Sequence, residues 1–67
     1  MFTREVNGLE IVAIVEDNVI TTAKVYKDGE FLTCEDIMTG EGEDVPYTEG
    51  NLNAVFKYMA NLNLATR

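Results

Sequence analysis

The sequence predicts an α+β fold in which a three-stranded antiparallel β-meander is followed by one C-terminal α-helix packed on one sheet face. Apolar and β-branched residues are concentrated in residues 9–34, where polar pairs favoured in turns divide them. Near the C-terminus the apolar residues recur at helical spacing instead. With 67 residues, 46% of them hydrophobic, the chain has the size and composition of one small domain, residues 1–67.

We expect the three strands at about residues 8–15, 19–26 and 30–35. The first is rich in valine and isoleucine and ends at the polar residues 16–18. A two-residue hairpin turn at Asp28-Gly29 joins the second strand to the third, because this pair suits the backbone of such turns. Cys34, in the third strand, is expected to be a small buried hydrophobe.

The helix is expected at about residues 49–63. Thr48 is its predicted N-cap, and Glu49 would lie in the first turn, where the helix dipole favours a negative charge. Pro46 keeps the preceding residue extended, as in a loop that leads into a helix. Helical spacing places the apolar residues in one stripe toward the sheet: Leu52, Val55, Phe56, Met59 and Leu62.

The amino-acid types that are missing exclude most catalytic sites. The chain contains no histidine, serine, glutamine or tryptophan. Without histidine there is no imidazole base, no catalytic triad and no partner to activate the thiol of Cys34. A zinc site would lack imidazole and a second thiolate. We therefore expect a protein that is not an enzyme and that binds no cofactor and no metal.

Charge and cysteine usage bear on partners and compartment. The net charge of −7 argues against direct binding to nucleic acid or to an anionic membrane surface. No apolar run approaches the ~20 residues that a membrane span needs. A single cysteine cannot form an intramolecular disulfide, and a small secreted fold usually needs several, so we expect a reducing cytoplasm, that of the host if the protein is encoded by a phage.

The acidic residues are concentrated in one stretch of the chain. Residues 28–49 contain eight acids and no base, a charge of −8, and the rest of the chain, with four acids and five bases, contributes +1 to the net charge of −7. Within it, an acidic loop is expected at about residues 35–47. The candidate residues for binding a basic protein surface are Glu35, Asp36, Glu41, Glu43 and Asp44. Two alternatives are a solvated loop that favours solubility, and a weak calcium site built from Glu41, Glu43 and Asp44.

Side-chain alternation predicts two apolar sheet faces if both hairpins have two-residue turns. One face would carry Val12, Ile14, Val19, Ala23, Val25, Leu32 and Cys34. The other would carry Leu9, Ile11, Ala13, Val15, Ile20, Tyr26 and Phe31. One helix can cover only one face, so we expect the second to contact a partner or another copy through Ile11, Ile20, Tyr26 and Phe31. Alternatively, the sheet curls, or the loop and N-terminal residues cover that face.

These features together indicate a binding protein. In size, charge and composition the chain resembles small acidic proteins of bacteriophages and mobile elements that inhibit host nucleic-acid machinery. That resemblance implies an inhibitor or modulator of a nucleic-acid-binding protein, with the acidic surface imitating DNA phosphates. The alternative is a structural or assembly protein that forms homodimers through an apolar sheet face. An accessory subunit or a metal-binding domain is a third hypothesis.

Overall fold

The computed structural model describes residues 1–65, with side chains through residue 62. These residues form an antiparallel sheet and one helix. The strands are β1 (Phe2–Val6), β2 (Leu9–Glu16), β3 (Val19–Lys27), β4 (Glu30–Asp36) and the short β5 (Val45–Pro46). The helix α1 spans Glu49–Ala65. Strands β1 to β4 lie side by side in sequence order, and β5 pairs with β3. The α+β class is confirmed, but the prediction of three strands is wrong.

The strand that the sequence analysis missed is β1. It pairs with β2 in an antiparallel register that joins Phe2 to Ala13 and Val6 to Leu9. A turn at Asn7-Gly8 connects the two strands, and both residues have positive φ, 51° and 82°. Asn-Gly is the pair most suited to this turn, because both of its residues adopt the left-handed region at low cost. The β1 strand itself is short and mostly exposed, so it lacks the apolar alternation that marks β2 and β3.

Two-residue turns also close the next two hairpins, and the one at Asp28-Gly29 is the turn that the sequence predicts. Asp17 and Asn18 have φ values of 51° and 62° between β2 and β3. Asp28 and Gly29 have φ values of 53° and 81° between β3 and β4. Positive φ at both central positions matches the right-handed twist of the strands, so the meander is specified by local turn chemistry at each corner.

Two β-bulges change which residues share a sheet face. Thr21 is unopposed between the pairs Ile14–Thr22 and Val15–Ile20. In β4, Leu32 is likewise unopposed. Each bulge adds one residue to one strand and reverses the alternation beyond it. The predicted assignment of side chains to the two sheet faces is therefore wrong in part. Ala23 and Val25 lie on the same face as Ile11, whereas Tyr26 lies on the opposite face.

The hydrophobic core lies between this first face and the helix. No polar or charged residue is buried within residues 1–62. The core consists of Leu9, Ile11, Ala13, Ile20, Ala23, Val25, Leu52, Val55, Phe56, Met59 and Ala60. Its helical members include four positions of the predicted stripe. Ile11 and Ile20 are fully buried here, so the expectation that they form an interface is wrong: the helix covers the sheet face on which both lie.

Two sets of contacts hold the helix: an N-cap hydrogen bond at its start and contacts with an arginine of β1. The Thr48 hydroxyl accepts a hydrogen bond from the Asn51 amide at 3.0 Å, which is the N-cap interaction that the sequence predicts. The Arg4 guanidinium lies 4.6 Å from the centre of the Phe56 ring and donates to Asn53 Oδ1 at 2.7 Å. Thus β1 holds the helix from the side. Within residues 1–65, no helix has the length and apolarity needed to cross a membrane.

The helix-covered face and the opposite face, which carries no helix and is called the open face, differ in how much each contributes to stability. Replacing Ile11 by alanine removes a fully buried side chain and should lower the free energy of unfolding by about 2–5 kcal/mol. Replacing Ile14, on the same strand but on the other face, should cost less than half as much, because its side chain is already partly solvated. Urea denaturation of the two variants measures the difference. Equal losses would show that the open face is covered in solution.

Candidate functional site

The eight acids of residues 28–49 are carried by consecutive elements of the chain. They lie in the β3–β4 turn, along β4, in the loop after it and at the helix start; we call them the acidic edge: Asp28, Glu30, Glu35, Asp36, Glu41, Glu43, Asp44 and Glu49. Strand β4 is an outer strand of the sheet and pairs only with β3, where Lys27 lies opposite Glu30. All five bases of the chain lie outside residues 28–49.

The loop after β4 is anchored at both ends on β3. The Ile37 amide donates to the carbonyl oxygen of Thr21, the bulge residue, at 2.9 Å. Beyond the loop, β5 pairs with Val19 and Ile20, and the Tyr47 amide donates to the Asn18 carbonyl at 2.7 Å. Glu41, Glu43 and Asp44 therefore lie in a loop whose two ends are both hydrogen-bonded to the sheet and its β2–β3 turn. The predicted acidic loop at 35–47 is shorter in the structure, because β4 extends through Asp36 and β5 takes up residues 45–46.

Thr39 organises the tip of this loop. Its amide donates to the Glu43 carbonyl at 2.8 Å, and its own carbonyl accepts from the Gly42 amide at 2.9 Å. Its hydroxyl also accepts from the Glu43 amide at 3.0 Å. Gly42 has a φ of 82°, a backbone conformation in which glycine is preferred. These hydrogen bonds fix the backbone that carries Glu41 and Glu43. Sequence reasoning missed Thr39, although a threonine ahead of two glycines is typical of a hydrogen-bonded turn.

A cleft of about 280 Å³ separates the segment after β4 from the helix. One wall comes from the end of β4 and from the loop, and the other from the exposed side of the helix. Its lining includes Glu35, Ile37, Val45, Ala54, Val55 and Tyr58. Ile37 and Val45 also pack against the core, so the floor of the cleft is continuous with it. The cleft could not be predicted from sequence, because it exists only where the loop returns to β3.

Glu35 differs from the other acids of the edge. It is paired with Ala23 across β3 and β4, and cross-strand partners project on the same side of a sheet, so its side chain lies on the helix-covered side. Its Oε2 atom is buried and has no hydrogen-bond partner within the described part of the chain. Asp36 follows it and is exposed. Of the predicted acidic residues, the structure thus brings Glu35 and Asp36 into the cleft wall and leaves Glu41, Glu43 and Asp44 on the exposed loop.

The open face of the sheet carries no helix. Tyr26 and Phe31 are cross-strand partners on it, with ring centres 5.7 Å apart in an edge-to-face arrangement. Phe31 is 56% exposed. Cys34, expected to be buried, is exposed beside Lys24, because β4 is an outer strand and its open face has no covering layer. Of the predicted apolar interface residues, Tyr26 and Phe31 therefore lie on an accessible surface.

Neither a metal site nor a similarity to known proteins identifies a function for the described part of the chain. Within the described residues, no three side chains of His, Cys, Asp or Glu are grouped in a way that could hold a metal ion. The calcium alternative at positions 41, 43 and 44 therefore has no geometric support. No protein-family model matches the chain, and no curated protein or solved structure matches it either.

We predict that the hydroxyl of Thr39 stabilises the backbone of the acidic loop. Replacing Thr39 by valine keeps the shape of the side chain but removes the acceptor for the Glu43 amide. We expect this amide proton to exchange with solvent about fivefold faster, the effect of losing roughly 1 kcal/mol of hydrogen bonding. Hydrogen-exchange NMR measures this change, and amides in β2 and β3 serve as internal controls. An unchanged rate at Glu43 would show that the backbone hydrogen bonds alone hold the loop.

Proposed function

We propose that this protein is a non-enzymatic binding protein that docks on a basic protein surface through its acidic edge. The single observation that supports this is the continuity of the charge: eight acids and no base follow β4, the loop and the helix start. An excess of acids of this kind attracts a surface of opposite charge, even though Lys27 of β3 is paired with Glu30 at one end of it. The partner class that fits best is a nucleic-acid-binding protein, whose binding groove is basic.

The dimensions of the acidic edge support imitation of a nucleic-acid strand. At about 3.3 Å per residue, the strand β4 (Glu30–Asp36) extends over roughly 20 Å. The longest dimension of the protein is 30 Å. The carboxylates of Glu30, Glu35 and Asp36 are distributed over the length of β4, so the strand offers several negative charges to a basic groove, as a row of DNA phosphates does. Occupying a groove in this way would make the protein an inhibitor or modulator, of the kind that phages and mobile elements direct against host proteins.

The acidic edge also has the rigidity that such binding requires. Strand β4 is fixed by pairing with β3, and the loop is held by the hydrogen bonds of Thr39. Preorganised charges bind better than mobile ones, because little conformational entropy remains to be lost on association. The charge would increase the association rate, and apolar contacts near it would slow dissociation.

Neutralising the loop acids tests this proposal. In the triple variant Glu41→Gln, Glu43→Gln and Asp44→Asn, we expect association with a basic partner to be about tenfold slower at low salt and less dependent on salt. The partner is first obtained by capture from a cell lysate on the immobilised protein, with double-stranded DNA as the competitor. Stopped-flow measurements then give the association rates.

A matched control separates the acidic edge from total charge. The variant Glu5→Gln, Glu10→Gln and Asp17→Asn removes three charges that lie outside residues 28–49. We expect its association rate to remain close to that of the wild type. Equal slowing in both triple variants would assign the effect to net charge and contradict a specific role for the edge.

A second candidate function is assembly through the open face. The observation that favours it is the accessible aromatic pair Tyr26–Phe31, since rigid aromatic side chains contribute much of the binding energy at interfaces. Burial of this face in a homodimer would also enlarge the small core. The acidic edge would then remain exposed on both copies.

Substitution of Phe31 tests the assembly hypothesis. If a dimer forms through the open face, Phe31→Lys should shift it to monomers, because a charge would be buried at the interface. Tyr58→Lys is the matched control, since Tyr58 is 54% exposed on the helix, away from the open face. Sedimentation equilibrium at low and high salt measures both variants. A monomeric wild-type protein at micromolar concentration would exclude this candidate.

A further inference from the structure

We infer that the cleft beside Glu35 receives a lysine or arginine side chain from the basic partner. This inference rests on the proposed function and specifies its contact. It joins three properties of one place: a cavity of limited size, apolar walls and the partly exposed carboxylate residue Glu35 in its lining.

The size of the cleft suits a side chain. Its volume of about 280 Å³ lies just below the range of about 300–1,000 Å³ that is typical of small-molecule and cofactor pockets. A single long side chain of a docked protein needs less space than such a ligand. The cleft is also open along one side, between the loop and the helix, so a side chain projecting from a protein surface can enter it without displacing either wall.

The carboxylate of Glu35 favours a positively charged occupant. Glu35 lines the cleft and is partly exposed, and its carboxylate receives no hydrogen bond at Oε2 in the described part of the chain. Ammonium and guanidinium groups are the side-chain donors that carry positive charge, and their hydrogen bonds to carboxylates are stronger than neutral ones. Asp36 also lines the cleft, and its charge disfavours an anion there.

The walls suit the rest of such a side chain. Ile37, Val45 and Val55 offer apolar surface to the methylene stem, and lysine and arginine commonly bury their stems while the charged group finds a polar partner. Tyr58 lines the same cleft and is 54% exposed, so its ring is available to a guanidinium or ammonium group at the entrance. A wholly apolar side chain would contact the walls but leave the negative charge of Glu35 without a positively charged partner.

The test uses two short basic peptides as probes. The ¹⁵N-labelled protein is titrated with acetylated hexa-arginine and with hexalysine at low salt, and amide shifts locate the bound peptide. We expect shifts at Ile37, Ala54 and Val55, which line the cleft, in addition to shifts in the loop. The comparison of the two peptides shows whether guanidinium or ammonium is preferred.

Two variants alter the cleft by different means. Glu35→Gln removes the carboxylate and should weaken peptide binding about tenfold, the effect of losing one hydrogen bond to a charged group. Ala54→Leu fills the cleft without removing charge, and it should weaken binding by a similar factor. Ala54 is exposed on the helix and leucine favours helices, so this variant should fold normally, as circular dichroism can verify.

The matched control for charge is Glu10→Gln, in β2 and outside both the cleft and the acidic edge. It should change affinity by about twofold or less, because an exposed charge of this kind contributes little to binding. If the wild-type protein binds the peptides but both cleft variants bind equally well, the cleft inference is wrong while the proposed function stands. If the wild-type protein binds neither peptide, the proposed function fails and the inference fails with it.

Discussion

The fold depends on the burial of one sheet face beneath the helix. In the described part of the chain, every buried side chain is apolar, and the sheet contribution comes from β2 and β3. The helix lies over these central strands, so β1 and β4 remain at the margins, with partly exposed side chains. The remaining surfaces follow from this placement: an open face with no covering layer, and an outer strand that carries acids. Both candidate binding surfaces are consequences of a sheet wider than its helix.

How much of this the sequence predicts depends on the range of the interactions involved. The helix stripe, the N-cap at Thr48 and the turn at Asp28-Gly29 are local features, and all three agree with the structure. The turn that joins β1 to β2 is also a local feature, since Asn7-Gly8 adopts the same positive-φ backbone as Asp28-Gly29. The strand β1 itself was not predicted because Phe2–Val6 is largely exposed and so lacks the apolar alternation on which strand prediction depends.

The side-chain faces could not be predicted because they depend on the bulges. Thr21 and Leu32 are ordinary strand residues in sequence, and nothing at either position indicates that it stands unopposed. One extra residue is nevertheless enough to move Ala23 and Val25 into the core and Tyr26 onto the open face. The bulge at Thr21 is stabilised by contacts distant in sequence: its hydroxyl donates to the Ile14 carbonyl, and its own carbonyl accepts from the Ile37 amide. The hydrogen bond from the Ile37 amide to the Thr21 carbonyl also positions the loop, which forms one wall of the cleft.

The acids on β4 favour a different protein as the partner over a second copy of this chain. An outer strand exposes unpaired backbone groups, and charged side chains on it prevent another strand from pairing there. Two copies that met through β4 would bring Glu30, Glu35 and Asp36 against their equivalents, and like charges repel. A basic groove meets no such repulsion. Under the proposed function, the acids that would oppose strand pairing at this sheet edge are therefore the same ones that would select a positively charged partner.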